Sequence, residues 1–225
     1  MQRSAVGKAF PTALILSDTG GGNRAEEYNK IMKREKAKII AADIAECAIF
    51  VALMVAGAYV QIPFYPVPLT FQTVISVLAG LFLGWKKGAV SMAVYCFAGL
   101  AGLPFFTAGG GIFYVMKPSF GYIIGFIFSA AVAGLIAGKA EAGFRRYLFA
   151  AIAAFLVNYA IGIPYCMVAA RLPNVENLTA LLLTGNLLYM PKDFALCILA
   201  AVLAWRVAPV INRLRAGRGR KTDNA

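Results

Sequence analysis

The sequence predicts an all-α integral membrane protein of six transmembrane helices with structured outer loops. Three observations carry this prediction. Of 225 residues, 60% are hydrophobic and only 14% charged, a balance far from that of a soluble domain. Several apolar runs approach the ~20 residues that cross a bilayer. The basic residues, which give a net charge of +12, gather in tails and in short turns between those runs. That is the pattern of membrane topology signals, not of a nucleic-acid surface. The chain therefore divides into a basic cytoplasmic N-terminal segment (1–38), a membrane domain (39–210) and a basic cytoplasmic tail (211–225).

In the N-terminal segment, Phe10 to Leu16 is apolar but broken by Pro11 and too short to span. No small-residue cleavage site follows it. Gly20 to Asn23 reads as a flexible linker. Glu26 to Lys38 reads as a surface helix or an extension of the first span. Span one runs from about Ile39 to Ile62. Asp43 and Glu46 fall in its first turns, where a helix N-terminus favours negative charge, and read as an interfacial pair facing water. Ala41, Ala45, Ala48, Ala52 and Ala56 recur at spacings of three and four. Small residues at that period make a smooth face that another helix can approach closely. The partner lies either within this chain or in a second subunit.

Pro63, Pro66 and Pro68 enforce a rigid, extended connection. Thr70 is placed to cap the next helix, with Gln72 in its first turn near the mouth of any cavity. Span two runs from about Thr70 to Leu83. Gly84 to Gly88 is a basic turn with an interfacial tryptophan, Trp85. Span three runs from about Ala89 to Leu103. Both spans are short, so their outer ends need cover from something other than lipid.

The stretch from Gly102 to Tyr122 is the centre of the chain. Gly109, Gly110 and Gly111, with Pro104 and Pro118, cannot sit inside a helix without cost. The aromatic residues between them imply packing. Irregular backbone at membrane depth is tolerated only where it is buried in protein or lines a cavity. The stretch reads as a loop folded over a small-molecule cavity; the alternative is an ordinary solvent loop.

Span four covers about Phe120 to Ala137, and Lys139 to Arg146 is a second basic turn. Span five covers about Tyr147 to Ala169 and carries Asn158, Tyr159 and Tyr165. A buried asparagine in lipid needs a partner, either another helix or a ligand. Leu178 to Met190 reads as a short helix at the outer surface. Pro191 is well placed to begin the last span, about Lys192 to Val210.

With the N-terminus in the cytoplasm, nineteen of the 22 Lys and Arg residues fall inside. Only Lys117, Arg171 and Lys192 fall outside. The positive-inside rule therefore places both termini in the cytoplasm. It puts the proline-rich connection, the glycine-rich loop and the Lys192–Asp193 pair together on the outer side. A charge at membrane depth costs about 2.5–3.5 kcal/mol on insertion scales. Asp193 is accordingly the leading ligand-binding candidate, and Lys192 is either a second one or a side chain that snorkels to water.

Some classes are disfavoured. The chain has no histidine, which removes Ser–His and Cys–His catalysis and histidine-bound zinc. Cys47, Cys96, Cys166 and Cys197 lie in apolar segments without C-x-x-C spacing, so no metal site, disulfide framework or cofactor is predicted. Gly134 to Ala140 lacks the spacing and the Ser/Thr of a nucleotide-binding loop.

Several motifs occur in a specific order. They are Val67-Pro68-Leu69-Thr70-Phe71-Gln72, Leu78-Ala79-Gly80 with Gly84, and Gly99-Leu100-Ala101-Gly102-Leu103-Pro104 before the triple glycine. Pro118 with Gly121-Tyr122, Tyr159 with Gly162, and Pro191 with Asp193 follow. In this order the sequence resembles the BioY family, the biotin-binding S-components of energy-coupling factor (ECF) transporters, over roughly Ala58 to Trp205. The resemblance implies a six-helix S-component that takes up biotin from outside. It also implies a first helix that docks on a transmembrane coupling subunit, with two cytoplasmic ATPases supplying the energy. The alanine stripe, Ala41 to Ala56, is the expected docking face. Asp193 would accept the ureido N–H bonds, while Asn158, Gln72 or a loop amide would donate to the ureido oxygen. Tyr114, Tyr122, Tyr159 and Tyr165 would wall the apolar part. Thr70, Lys192, Gly109, Gly110 and Gly111 complete the expected ligand-binding set. The sequence departs from the family where a lysine commonly stands three residues after the aspartate, because that position is Leu196. The partner of the biotin carboxylate is thus open. The rival readings are an S-component for riboflavin or thiamine, a stand-alone carrier or channel, and an intramembrane enzyme.

Overall fold

A computed structural model describes residues 21–62, 67–138, 143–169 and 187–223. Its helices are α1 (Gly21–Tyr59), α2 (Gln72–Leu100), α3 (Phe120–Ala137), α4 (Phe144–Ala169) and α5 (Leu187–Asp223). By length and composition each of these five is long and apolar enough to cross a membrane, α2 being counted across the reversal described below. Between α1 and α2 two short strands, β1 (Gln61–Ile62) and β2 (Leu69–Thr70), pair antiparallel with Gln61 opposite Thr70. A 3-10 helix, Ile112–Met116, precedes α3. The chain falls into two units, one ending at Ile44 and one beginning at Ala45. Everything described below belongs to the second unless stated.

α2 is not one straight rod. Gly84 has φ 79° and ψ 170°, a conformation open essentially to glycine alone. The chain reverses there. A Cβ on Gly88 would stand 3.0 Å from the Ala79 carbonyl oxygen and the Gly80 backbone, so the two halves of α2 lie against each other. α3 is the most enclosed span, with 61% of its most apolar window buried, against 6% for α1. Gly80 faces Ala130 and Ala133 of α3, and Gly121, Gly125 and Gly162 receive side chains across the α3–α4 interface. Small residues let these backbones approach closely, which is how helices gain packing contacts where lipid is as apolar as leucine.

The last helix shows why its polar residue turns inward. Asp193, Cys197, Ala200, Ala201 and Ala204 are all buried. Their spacing traces one face of a 3.6-residue helix, so Asp193 sits at the end of the same face that packs the core.

Three expectations need correction. Of the expected Gly20–Asn23 linker, Gly21–Asn23 are helical, because the helix already begins at Gly21, and Gly20 lies outside the described residues. From there to Lys38 no proline intervenes and charged helix formers dominate, so nothing stops propagation. As a result Asp43 and Glu46 stand mid-helix, not in a first turn, and Glu46 forms an ion pair with Lys87 at 3.3 Å. Pro191 does not open the last helix: α5 begins at Leu187 and includes it. So near the helix end, its missing N–H costs only the bond to the Leu187 carbonyl.

The expected Phe10–Leu16 run, Pro63, Pro66, Lys139 and the 178–186 part of the surface helix lie outside the described residues. Leu187 to Met190 belong to α5.

Candidate functional site

Asp193 is 6% exposed and sits among donors. Its Oδ2 accepts hydrogen bonds from the Thr73 hydroxyl at 3.0 Å and the Tyr159 hydroxyl at 2.8 Å. Three helices meet at this one oxygen: α2, α4 and α5. Its Oδ1 lies 2.7 Å from the Lys192 ammonium. The two form a close ion pair.

Lys192 and Asp193 are neighbours on a helix, where adjacent positions point in different directions. The lysine stem is long enough to bring its ammonium back. The same Nζ donates to the Thr70 carbonyl at 2.5 Å and stands 5.7 Å from the Phe71 ring centre. It thereby ties the start of α5 to the start of α2.

A cavity of about 50 Å³ opens beside this pair. Val67, Pro68, Tyr122, Ile123 and Phe126 give it apolar wall. Tyr122 and Tyr159 meet edge to face, with ring centres 5.6 Å apart. Thr107, Tyr114 and Ser119 also contribute hydroxyls to the wall. Gln72 and Tyr95 belong to it too, joined by a 2.6 Å hydrogen bond from Gln72 Nε2 to Tyr95 Oη. Tyr95 in turn donates to the Phe105 carbonyl at 3.1 Å, fixing the glycine-rich loop to α2.

Of the residues expected at a ligand site, Thr70, Gln72, Tyr114, Tyr122, Tyr159, Lys192 and Asp193 line this cavity. The others stand elsewhere. Asn158 is fully buried, its carboxamide pressed against Gly125 with neither polar atom hydrogen-bonded. Tyr165 donates to the Val115 carbonyl at 2.5 Å and so pins the 3-10 helix. Gly109, Gly110 and Gly111 shape the loop instead of walling the cavity. The Gly111 N–H donates to the Gly99 carbonyl at 2.8 Å. A Cβ on Gly110 would overlap the Leu103 carbonyl. Their role is to let the loop lie on the end of α2, which seats Phe106 at 1% exposure and Tyr114 at 3%. Leu196 is packed against the core.

Sequence reasoning missed Thr73, Tyr95, Thr107 and Ser119. For Thr73 a signal existed, because Gln72, Thr73 and Ser76 form a polar patch in an otherwise apolar segment. Tyr95 carried none, since an aromatic residue in an apolar helix reads as core.

Among the described residues, no cluster of His, Cys, Asp and Glu could hold a metal ion. A bundle of helices apolar enough to cross a membrane, around a small cavity that is part apolar and part polar and carries a buried ion-paired carboxylate, defines a multi-pass membrane protein. The chain belongs to the BioY family, whose model matches residues 29–213. It is 40% identical over 172 residues to a probable biotin transporter of Lysinibacillus sphaericus, covering 75% of this chain and 88% of that one. It is also 40% identical over 121 residues to a biotin transporter of Thermotoga maritima, covering 53% and 71% respectively. A crystal structure of the S-component for biotin from an ECF-type ABC transporter superposes with a TM-score of 0.64. That match covers 76% of this chain and 93% of the other at 22% identity, and bears on the fold. Membership places the chain among transport proteins and not among enzymes.

Proposed function

We propose that this chain is the substrate-binding membrane subunit of a biotin uptake transporter. The observation that carries the reading is the Asp193–Lys192 ion pair at the cavity, with Asp193 Oδ1 2.7 Å from the ammonium. The ureido ring of biotin presents an N–H beside a carbonyl. A carboxylate acceptor beside an ammonium donor is its complement. Asp193 takes the N–H, and Lys192 turns from the Thr70 carbonyl to the ureido oxygen. Gln72 is not the donor to that oxygen, because its amide nitrogen already serves the Met54 carbonyl at 3.4 Å and Tyr95. The names of the relatives from Lysinibacillus sphaericus and Thermotoga maritima support the same ligand.

In this reading the membrane domain has six spans, α2 supplying two through the reversal at Gly84. Both termini are cytoplasmic and the glycine-rich loop covers the cavity from outside, as the positive-inside count supports. The chain works with a transmembrane coupling subunit and two cytoplasmic ATPases. Ala41, Ala45, Ala48, Ala52 and Ala56 are all exposed, so the small-residue face of α1 is open to a neighbouring helix. Mass spectrometry of the small molecule that co-purifies in mild detergent tests the ligand, followed by calorimetric titration with biotin, riboflavin and thiamine. Biotin alone should bind; binding of another vitamin in its place overturns the reading.

A further inference from the structure

Gln61 is not among the residues that line the cavity, yet it is bonded to both connections that wall it. We infer that Gln61 and Tyr59 latch the glycine-rich loop to the end of α1, and that the ligand enters and leaves through the seam this latch closes; the inference rests on the biotin reading above.

The backbone of Gln61 pairs with Thr70 across the two short strands. Thr70 lines the cavity, and its carbonyl accepts from Lys192 Nζ at 2.5 Å. The side chain of Gln61 reaches the other way, where Nε2 donates to the Thr107 carbonyl at 3.0 Å. Thr107 belongs to the glycine-rich loop and also lines the cavity. Two residues earlier, at the end of α1, the Tyr59 hydroxyl donates to the Pro104 carbonyl of the same loop at 2.6 Å. The end of α1 thus holds the loop at two points, and Gln61 alone joins it to the proline-rich connection.

The two sides of the loop are held by different forces. On the α2 side the attachment is apolar burial. Phe106 is 1% exposed and fills the space that the missing side chain of Gly99 leaves. Its ring centre is 5.5 Å from that of Tyr95 and 4.5 Å from that of Tyr114. Backbone bonds run alongside, such as Gly111 N–H to the Gly99 carbonyl at 2.8 Å. On the α1 side the attachment is two side-chain hydrogen bonds, one of them from Tyr59, which is 60% exposed. Water can replace the partners of such bonds at little net cost, whereas it cannot replace the contacts of a buried ring. The loop is therefore rooted on α2 and parts most easily from α1.

A latch of this kind acts on rates. It touches no wall atom of the ligand site, so it holds the empty and the loaded forms closed alike. Weakening it raises the open fraction of both forms by the same factor. Entry and exit then quicken together and their ratio stays fixed. A residue that contacts the ligand or orients Asp193 changes mainly the exit rate.

The test follows uptake and release of radiolabelled biotin by the purified full-length chain. Tyr59→Phe and Gln61→Met remove the two donors and keep the size of the side chains. Each should raise the association and dissociation rates together by about two- to tenfold, the worth of one net hydrogen bond, and leave Kd within about twofold. The double variant should raise both rates further. Thr73→Val, which acts at the wall, should speed release without speeding entry. A merely structural role for Tyr59 and Gln61 would weaken affinity with entry unchanged or slowed, and that pattern overturns the latch. Unchanged rates in both variants overturn it as well. If wild type binds no biotin, the biotin reading falls and the latch with it; if wild type binds and the variants keep its rates, the latch alone falls. Tyr59→Phe removes a single exposed oxygen, so the test stays decisive even if Gln61→Met does not fold.

Discussion

Gln72 and Tyr95 stand 23 positions apart in one helical segment, yet Gln72 Nε2 lies 2.6 Å from Tyr95 Oη. In a straight helix the rise of 1.5 Å per residue would separate them by about 34 Å. The reversal at Gly84 brings them together, and the bond between them forms part of the cavity wall. A glycine in one turn and an amide–phenol contact at the far end are thus two parts of one device. The turn sets the register of the hairpin, and the register puts Gln72, Thr73 and Tyr95 around the same space.

Gly84→Ala should destabilise the fold by about 1–3 kcal/mol, the usual cost of a non-glycine residue in this backbone region. No described atom lies within 4 Å of the Cβ that would be added, so the penalty is in the backbone alone. Thermal unfolding in detergent measures it, and an unchanged midpoint would show that the turn has another conformation.

Asp193→Asn keeps the size of the side chain and removes its charge. Hydrogen bonds to a charged group are worth about 1.5–3 kcal/mol, so biotin affinity should fall by roughly 10- to 100-fold. Calorimetric titration provides the number, and full affinity in this variant would count against the site.

Thr73→Val removes one of the two hydroxyls that orient Asp193 Oδ2 and leaves the Tyr159 bond in place. The expected loss is about 1 kcal/mol, roughly fivefold in affinity. Tyr159→Phe should cost a similar amount. Their double mutant should lose more than the sum, because the carboxylate is then held by neither.

Asn158→Leu should leave biotin affinity within about twofold and hold or raise stability, since replacing unsatisfied buried polar groups by apolar ones of like shape is neutral to favourable. Both polar atoms of Asn158 lack a partner and its side chain is away from the cavity wall. A large drop in affinity would put this residue back in the site.

Ala48→Leu and Ala52→Leu change exposed positions on α1. Purified protein should keep its unfolding midpoint and its biotin affinity. Biotin uptake in cells that supply the coupling subunit and the ATPases should fall, because the added side chains hold a neighbouring helix away. Unimpaired uptake would move the docking face elsewhere.

Much was legible from the order of residues alone. Apolar length and charge placement gave the membrane class, because a bilayer imposes both on any chain that crosses it. The period of the alanines marked the open face of α1, and the glycines and prolines after α2 marked where regular helix had to stop. Among polar candidates Asp193 stood out, because a carboxylate in such a segment is costly wherever it is not used. What pattern could not supply was which side chains share a space. Asn158 and Asp193 looked alike as polar residues in apolar spans, yet one is packed against Gly125 and the other faces the cavity. Thr73, Tyr95, Thr107 and Ser119 come to the wall from three separate segments. Local sequence sets the period of a helix and the place of a turn, but the rotation of each helix about its axis is fixed by packing against its neighbours. That rotation, decided only in the folded bundle, turned Asp193 to two hydroxyls and an ammonium, and turned Asn158 into the α3–α4 interface.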